Sequence, residues 1–214
     1  MATPTPFAYP IVMNLSGRRA VVVGGGEVAL RKARALADAG ARVRVVAPKL
    51  VPGFAEDGRF ECVAVRYEKR HLEGARIAIT ATDDEAVNRQ VAGDARAAGV
   101  LVNVVDRPEL CDFIVPAQVR RGDLLIAIST GGAAPALAKR LRERLEKEFG
   151  PEYETYLAVL GEVREDLKNR NIPADLRRRI FERLTEDDIV DAARQDGDGL
   201  RLAIEKIVSD ILGA

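Results

Sequence analysis

The sequence predicts an α/β fold in which a parallel sheet is followed by a small α+β segment and a helical C-terminal region. Over the first half of the chain, short β-branched segments alternate with amphipathic segments, as they do in parallel α/β sheets. Glycine is concentrated there as well, since 14 of the 18 glycines lie within residues 1–150. Residues 1–150 carry a net charge of +5, whereas residues 151–214 carry −5. A glycine-rich, β-branched part therefore precedes a charged, glycine-poor part that we expect to be mostly helical.

Each element of the first part is marked by an apolar segment and by the residues that end it. A β-branched run at residues 20–23 enters a glycine cluster, which is typical of a buried strand followed by a tight turn. Apolar residues at helical spacing follow at 28–39, and Gly40 ends that helix. Further strands are predicted at 42–46, 60–65, 77–80 and 101–105, and a second helix at 84–98. This order predicts right-handed crossovers and a doubly wound parallel sheet.

The second part begins with two predicted strands, at residues 113–116 and 124–128, separated by a turn at 121–123. A helix with Pro135 near its start then runs to Phe149. Three or four amphipathic helices are predicted beyond it. We therefore expect a first domain at residues 1–112, a small α+β segment at 113–150 and a helical domain at 151–214.

Composition and charge exclude several classes of protein. Lys plus Arg and Asp plus Glu both number 33, so no net charge favours nucleic acid or an anionic membrane as a partner. The apolar runs are strand-sized and no basic stretch precedes an apolar block at the N-terminus, so neither a membrane span nor a secretory signal is predicted. Two cysteines and the single histidine, His71, do not supply a disulfide framework or a zinc site. We expect a cytoplasmic globular protein without a bound metal.

The strongest local signal is the G-x-G-x-x-A pattern of residues 24–29, which lies directly between a predicted strand and a predicted helix. In this pattern Gly24 makes the tight turn, Gly26 lets a pyrophosphate approach the main chain, and Ala29 lets the helix pack close to the strand. The phosphates then lie on the free N–H groups at the positive end of the helix. The alternative is a glycine turn that only connects strand to helix. The context favours a Rossmann-type dinucleotide site.

One part of the usual dinucleotide pattern is absent. An acidic residue about 20 residues after the glycines commonly binds the ribose hydroxyls. Here the second strand is followed by Pro48 and Lys49, and the next carboxylate is Glu56. Ribose contacts are therefore expected from the main chain or from another side chain. The choice between NAD and NADP stays open on the residues alone.

Two further positions are candidates for substrate chemistry. Asp106 follows the last predicted strand of the sheet, at the edge where open parallel sheets bind their ligands. Its carboxylate is either a general base beside a cofactor or a turn residue ahead of Pro108. Ser129 and Thr130, with Gly131, precede a helix, where hydroxyls cap the turn or free amides bind a substrate carboxylate. The sequence contains no serine-hydrolase elbow and no P-loop, which excludes those chemistries.

Five stretches in a fixed order resemble the precorrin-2 dehydrogenase family, which includes the dehydrogenase and ferrochelatase part of siroheme synthase. These stretches are residues 21–34, 81–88, 103–106, 113–116 and 129–138. Each is weak alone, but the ordered set over residues 12–150 is specific. The C-terminal helices are similar to the helical region of that family.

The resemblance implies NAD-dependent oxidation of precorrin-2 to sirohydrochlorin and, in bifunctional members, insertion of ferrous iron. Asp106 matches the catalytic aspartate of the family. The residues expected to bind the cofactor are Gly24, Gly25, Gly26, Glu27, Val28, Pro48, Lys49 and Thr82. The residues expected to bind the tetrapyrrole substrate are Arg107, Ser129, Thr130 and Gly131, with Thr130 in a position where some members carry serine. The resemblance also implies a homodimer in which residues 113–150 form the dimerisation segment.

Two alternatives differ in what they require of the same residues. A regulatory module that senses the dinucleotide needs the glycine turn but gives Asp106 and Thr130 no role. A chelatase without dehydrogenase activity keeps Asp106 and loses its dependence on NAD.

Overall fold

The computed structural model describes residues 9–195 and 197–213, which divide into two compact units between Val115 and Pro116. The first unit contains five strands and three α-helices. In chain order these are β1 Arg19–Val23, α1 Glu27–Asp38, β2 Arg42–Val46, α2 Gly53–Asp57, β3 Phe60–Val63, β4 Ala75–Thr80, α3 Glu85–Ala97 and β5 Leu101–Val104.

The five strands form one parallel sheet in the order β3-β2-β1-β4-β5. Val22 in the central strand pairs with Val45 of β2 and with Ile79 of β4. The chain runs outward from β1 to one edge and then returns to the other, so the strand order reverses between β1 and β4. This confirms the predicted doubly wound sheet. Such a reversal opens a crevice for ligands at the carboxyl ends of the strands.

Both faces of the sheet are buried, which explains the nearly continuous apolar strands. Val22 packs with α1 on one face, whereas Val21 and Val23 pack with α3 on the other. Helix α1 contributes Ala29, Leu30, Ala33 and Leu36, and α3 contributes Val91, Ala92 and Ala95. The small alanines let each helix lie close to the strands.

The predicted strand at residues 113–116 is wrong. This segment instead follows the free edge of β5, where the N–H of Asp112 donates to Val102 O (2.8 Å) and its carboxylate accepts from Val102 N (3.0 Å). The Asn103 side chain donates to Phe113 O (2.9 Å). Phe113, Ile114 and Pro116 are only partly buried and Val115 is exposed. The segment is therefore held at the edge of β5 by these hydrogen bonds and is not a strand of its own. The strand predicted at 60–65 ends at Val63.

The second unit contains a two-stranded antiparallel hairpin and five helices. They are β6 Ala117–Arg121, β7 Leu124–Ile128, α4 Pro135–Glu148, α5 Glu152–Asn169, α6 Ala174–Leu184, α7 Asp187–Gln195 and α8 Gly197–Leu212. The four helices after α4 share a core in which Leu167, Ile180 and Leu184 are fully buried. Tyr156 donates a hydrogen bond from its hydroxyl to Leu184 O (2.6 Å). None of the helices in the described ranges has the length and apolarity needed to cross a membrane.

An ion-pair network ties the outer part of the sheet to α1. The carboxylate of Asp57, at the end of α2, accepts hydrogen bonds from Arg34 of α1 and from Arg59 at the start of β3 (both 3.0 Å to Oδ2). Arg59 also contacts Asp38 at the end of α1 (2.7 Å). The hydrogen bond from Arg59, followed by that from Arg34, lowers the pKa of Asp57 from 3.8 to about 2.

We predict that Asp57→Asn lowers the melting temperature at pH 7 by about 2 °C, since the two arginines that pair with Asp57 are exposed to solvent and such ion pairs contribute little. A depressed pKa in the folded state stabilises the fold above the unfolded value of 3.8, and this stabilisation disappears as the pH falls towards 2. The difference between parent and variant should therefore close between about pH 4 and pH 2, as followed by thermal unfolding. Asp83→Asn serves as the control, because this exposed aspartate makes no ion pair within the described residues. A difference that is constant with pH would contradict the role of Asp57.

Candidate functional site

The turn between β1 and α1 is enclosed by main chain on two sides. Gly24 adopts φ +134°, and a Cβ atom there would overlap the carbonyl oxygen of Ala81, just after β4. A Cβ at Gly25 would overlap the carbonyl oxygen of Lys49, just after β2. Val51 N donates to Gly25 O (2.9 Å), which fixes the turn against the segment that follows β2. Only glycine allows this close approach at both positions.

Gly26 lies in a different environment, because a Cβ atom there would meet no atom within 4 Å. It is the N-cap of α1, and no side chain caps the helix at this end. Leu30 N donates to Gly26 O (3.0 Å), which is the first hydrogen bond of the helix. The N–H groups that precede Leu30 in the first turn have no partner within the helix, and they face open space at its positive end. Ala29, behind the turn, is fully buried. This arrangement fits the pyrophosphate of a dinucleotide.

The other predicted cofactor residues surround this turn. Glu27 and Val28 form the exposed first turn of α1. Pro48 and Lys49 follow β2 and are exposed, and Thr82 follows β4 and is partly exposed. The structure thus brings all of them to the carboxyl edge of the sheet, on either side of the point where the strand order reverses.

A buried amide fixes the segment after β4. Asn88 of α3 accepts hydrogen bonds at Oδ1 from the hydroxyl of Thr80 and from that of Thr82 (2.9 Å), and its Nδ2 donates to Thr82 O (2.9 Å). Asp84 caps α3 at the other end of this short segment. Asn88 lies in one of the matched stretches, but sequence reasoning assigned it no role. Its polarity on the buried face of a predicted helix was the available signal.

Asp106 lies just beyond β5 with its backbone in the left-handed region, at φ +61°, and its side chain is exposed. The sulfur of Cys111 contacts the main chain before and after this turn. It accepts from Val104 N (3.1 Å) and lies 3.3 Å from Arg107 O. Strained backbone positions that are held by their surroundings are concentrated at functional sites. Within the described residues, no ion pair engages the Asp106 carboxylate.

Lys32 connects α1 to this carboxylate, and sequence reasoning gave it no role. Burial, and then the charge of Arg31, lower the pKa of the Lys32 ammonium, whereas the negative charge of Asp106 opposes the shift. The opposite charges of Lys32 and Asp106 therefore attract each other between α1 and the turn after β5. A lysine on the second turn of a dinucleotide-binding helix carries no signal that separates it from a surface lysine.

The predicted substrate residue Arg107 is exposed and forms an ion pair with Glu85 of α3, with 3.6 Å between Nη2 and Oε2. Hydrogen bonding to Arg89, and then the charge of Arg107, lower the pKa of Glu85. A surface pair of this length is weak, so an incoming carboxylate can replace Glu85 as the partner of Arg107.

Ser129, Thr130 and Gly131 follow β7 in the second unit. Gly131 N donates to the Ser129 hydroxyl (3.2 Å), and Ala134 N donates to the Thr130 hydroxyl (3.2 Å). Both hydroxyls therefore cap the turn that leads into α4, as one of the two interpretations of the sequence had it. The Ser129 side chain is exposed and Thr130 partly so, which leaves their remaining lone pairs accessible.

Comparisons with known proteins agree with this geometry. A family model described as "Putative NAD(P)-binding" matches residues 11–117, and one described as "Sirohaem biosynthesis protein central" matches residues 121–148. Siroheme synthase of Chromobacterium violaceum is 42% identical over 205 residues, which cover 94% of this chain and 44% of that protein. Siroheme synthase of Azotobacter vinelandii is 47% identical over 175 residues, which cover 80% of this chain and 38% of that protein. The chain spans about two fifths of the length of these relatives.

A solved structure agrees over nearly the full length of both chains. The precorrin-2 dehydrogenase SirC superposes with a TM-score of 0.73 at 28% sequence identity, and the match covers 93% of this chain and 98% of that one. The order of the matched regions is that of the motifs in the sequence. The chain belongs to the precorrin-2 dehydrogenase and siroheme synthase family.

Proposed function

We propose that this chain binds NAD at the glycine turn and oxidises precorrin-2 to sirohydrochlorin, with Asp106 as the proton acceptor. The observation that carries the proposal is the open space over Gly26 at the uncapped end of α1, on the same sheet edge as the exposed Asp106 carboxylate. The full-length likeness to a precorrin-2 dehydrogenase supports the choice of reaction.

The chain's own residues supply binding and orientation for this reaction. The first-turn N–H groups of α1 would hold the pyrophosphate, and Gly26 keeps the approach open. Pro48 and Lys49 would contact the ribose, where the usual acidic residue is absent. Asn88 keeps Thr82 and its carbonyl in place on the other side of the turn. The bound NAD supplies the hydride acceptor.

Loss of two electrons from precorrin-2 releases one hydride and one proton. A bound dinucleotide would take the hydride, and the Asp106 carboxylate would accept the proton and pass it to water. The positive charge of Lys32 on α1 attracts the Asp106 carboxylate. Arg107 in the first unit is proposed to bind a carboxylate of the tetrapyrrole. Ser129, Thr130 and Gly131 in the second unit are each proposed as substrate-binding residues as well.

A second candidate reaction is the insertion of ferrous iron, which the siroheme synthase relatives favour. In that reaction Asp106 would receive the pyrrole protons as the metal enters. Within the described ranges, no cluster of three or more metal-binding side chains is present, so iron would be held as a substrate by the macrocycle itself. The alternatives of a dinucleotide sensor and of a chelatase without dehydrogenase activity are tested by the same variants.

We also propose a homodimer built on the dimerisation segment, residues 113–150. Helix α4 has no fully buried residue, and Leu137 on it is 48% exposed. On β7, Leu125 is 41% exposed. Apolar side chains on a hairpin and a helix that pack together without covering each other are suited to an interface with a second copy.

We predict that Gly26→Asp abolishes NAD binding without unfolding the protein. Gly26 has an extended backbone that any residue adopts, and its Cβ would meet no atom, so the loss follows from bulk and charge at the pyrophosphate. Calorimetric titration with NAD measures the effect. Gly93→Asp is the matched control, because a Cβ on that exposed glycine of α3 also meets nothing within 4 Å. Undiminished affinity in Gly26→Asp would refute the site.

We predict that Asp106→Asn lowers the rate of precorrin-2 oxidation by about 10²–10⁴-fold, the usual effect of losing a general base. Asparagine tolerates the left-handed backbone at this position, so the fold and the NAD affinity should be retained. Anaerobic assays with precorrin-2 and NAD, followed by ferrous iron, measure both reactions. Glu109→Gln, a nearby exposed carboxylate, should react at the parental rate. A parental rate in Asp106→Asn would leave Asp106 as a turn residue only.

We predict a dimer of the 23.3 kDa chain in solution. Leu125→Lys with Leu137→Lys should convert it to a monomer, because two buried ammonium groups in an apolar interface are costly. Light scattering over a range of concentrations measures the mass. A parent protein that stays monomeric at every concentration would overturn the dimer.

A further inference from the structure

The edge of the parallel sheet opposite the glycine turn contains a second concave surface, which the proposed reaction does not use. It is an open groove of about 860 Å³ in the first unit, and we call it the basic groove. Its lining residues come from the first residues of β1, β2 and β4 and from the segments that precede β1, β4 and β5. Five residues of β-strand rise separate Arg19 from Gly24, which places the groove roughly 17 Å from the glycine turn.

The charged residues that line the groove are almost all positive, six cations against one acid. Its charged lining residues are Arg18, Arg19, Arg42, Lys69, Arg70, Arg76 and a single acid, Glu73. Of these cations only Arg70 forms an ion pair within the described residues, with Glu68 at 3.0 Å. The chain has no net charge, so the accumulation is local. Converging unpaired cations repel one another and attract anions from solution.

Two of the guanidinium groups are fixed by carbonyl oxygens rather than by carboxylates. Arg19 donates from Nη1 to Glu73 O (2.9 Å), and Arg42 donates from Nε to Gly17 O (2.9 Å). Each bond uses one of five N–H donors and leaves the positive charge uncompensated. Arg19 and Arg42 are therefore held in place with most of their donors available, which is what a preorganised anion site requires.

Three more cations lie around this fixed pair. Arg18, Lys69 and Arg76 are exposed, and they make no side-chain hydrogen bond or ion pair within the described ranges. A Cβ atom on Gly17 or on Gly99 would meet nothing within 4 Å, so the main chain of the groove is also open to a ligand. The volume suits a small molecule that carries several anionic groups rather than a single phosphate ion.

We propose that the basic groove is a second ligand site, separate from the dinucleotide site, for a small molecule with several phosphate or carboxylate groups. The inference is independent of the proposed dehydrogenase function, because it uses none of the residues assigned to that reaction. Phosphate and carboxylate groups both accept paired N–H donors from arginine, so the shared chemistry is that of a multiply charged oxyanion.

The test measures binding of two probes by calorimetry in about 0.1 M salt: tripolyphosphate for phosphate chemistry and benzenehexacarboxylate for carboxylate chemistry. The parent protein should bind at least one of them. Arg18→Glu with Arg76→Glu should weaken that binding by at least about tenfold, since two attractions become repulsions. The NAD affinity of this variant should be unchanged. Arg164→Glu with Lys206→Glu, on the second unit, makes the same change in net charge at exposed positions and should bind the probe as the parent does.

The same titrations separate this site from its rivals. Binding that is lost in Gly26→Asp or displaced by NAD would place the anion on the glycine turn and overturn the proposal. Equal weakening in the two double variants would show non-specific attraction and would also overturn it. So would failure of both probes to bind, including the case in which duplex DNA binds instead. Loss of NAD binding in Gly26→Asp with probe binding intact supports both sites.

Discussion

The close approach of main chain to main chain at the β1–α1 turn is the constraint on which the rest of the first unit depends. Gly24 faces the carbonyl oxygen of Ala81, and Gly25 faces that of Lys49. No side chain larger than hydrogen fits between these segments. The positive end of α1 is therefore brought to the ends of β2 and β4 at once. The carboxyl ends of these strands and the start of α1 therefore form one continuous binding edge. On the β4 side, the buried Asn88 side chain fixes the segment that follows the strand.

The periodic parts of this fold were predictable from sequence, and the parts governed by single contacts were not. Strands β1, β2 and β4 are short, apolar and β-branched, so their positions were correct to within two residues. The segment 113–116 has the same composition but covers the edge of β5, because Asn103 and Asp112 provide partners that no periodicity reveals. Helix α2 has five residues, too few for an apolar repeat to show.

The candidate site likewise contains residues that the sequence predicted and residues that it did not. The glycine spacing predicted the turn, because the pattern assigns Gly24 to a tight turn and Gly26 to an open approach, and the structure shows both features. The roles given to Lys32, Asn88 and Cys111 depend on neighbours that only folding brings together. The basic groove is the feature that the sequence reveals least, since its cations are scattered over residues 18–76 in a chain without net charge. The sheet gathers them because the turns before its strands meet at one edge.

The left-handed backbone of Asp106 narrows the choice of residue there in two independent ways. The conformation admits glycine, asparagine and aspartate far more readily than longer or branched side chains. The proposed reaction requires a carboxylate as proton acceptor. Glutamate meets the second requirement and violates the first, whereas asparagine does the reverse. Aspartate is the one residue type that satisfies both requirements. The backbone conformation alone therefore limits which substitutions are tolerated at this position. Glutamate is a disruptive replacement there, although its charge matches.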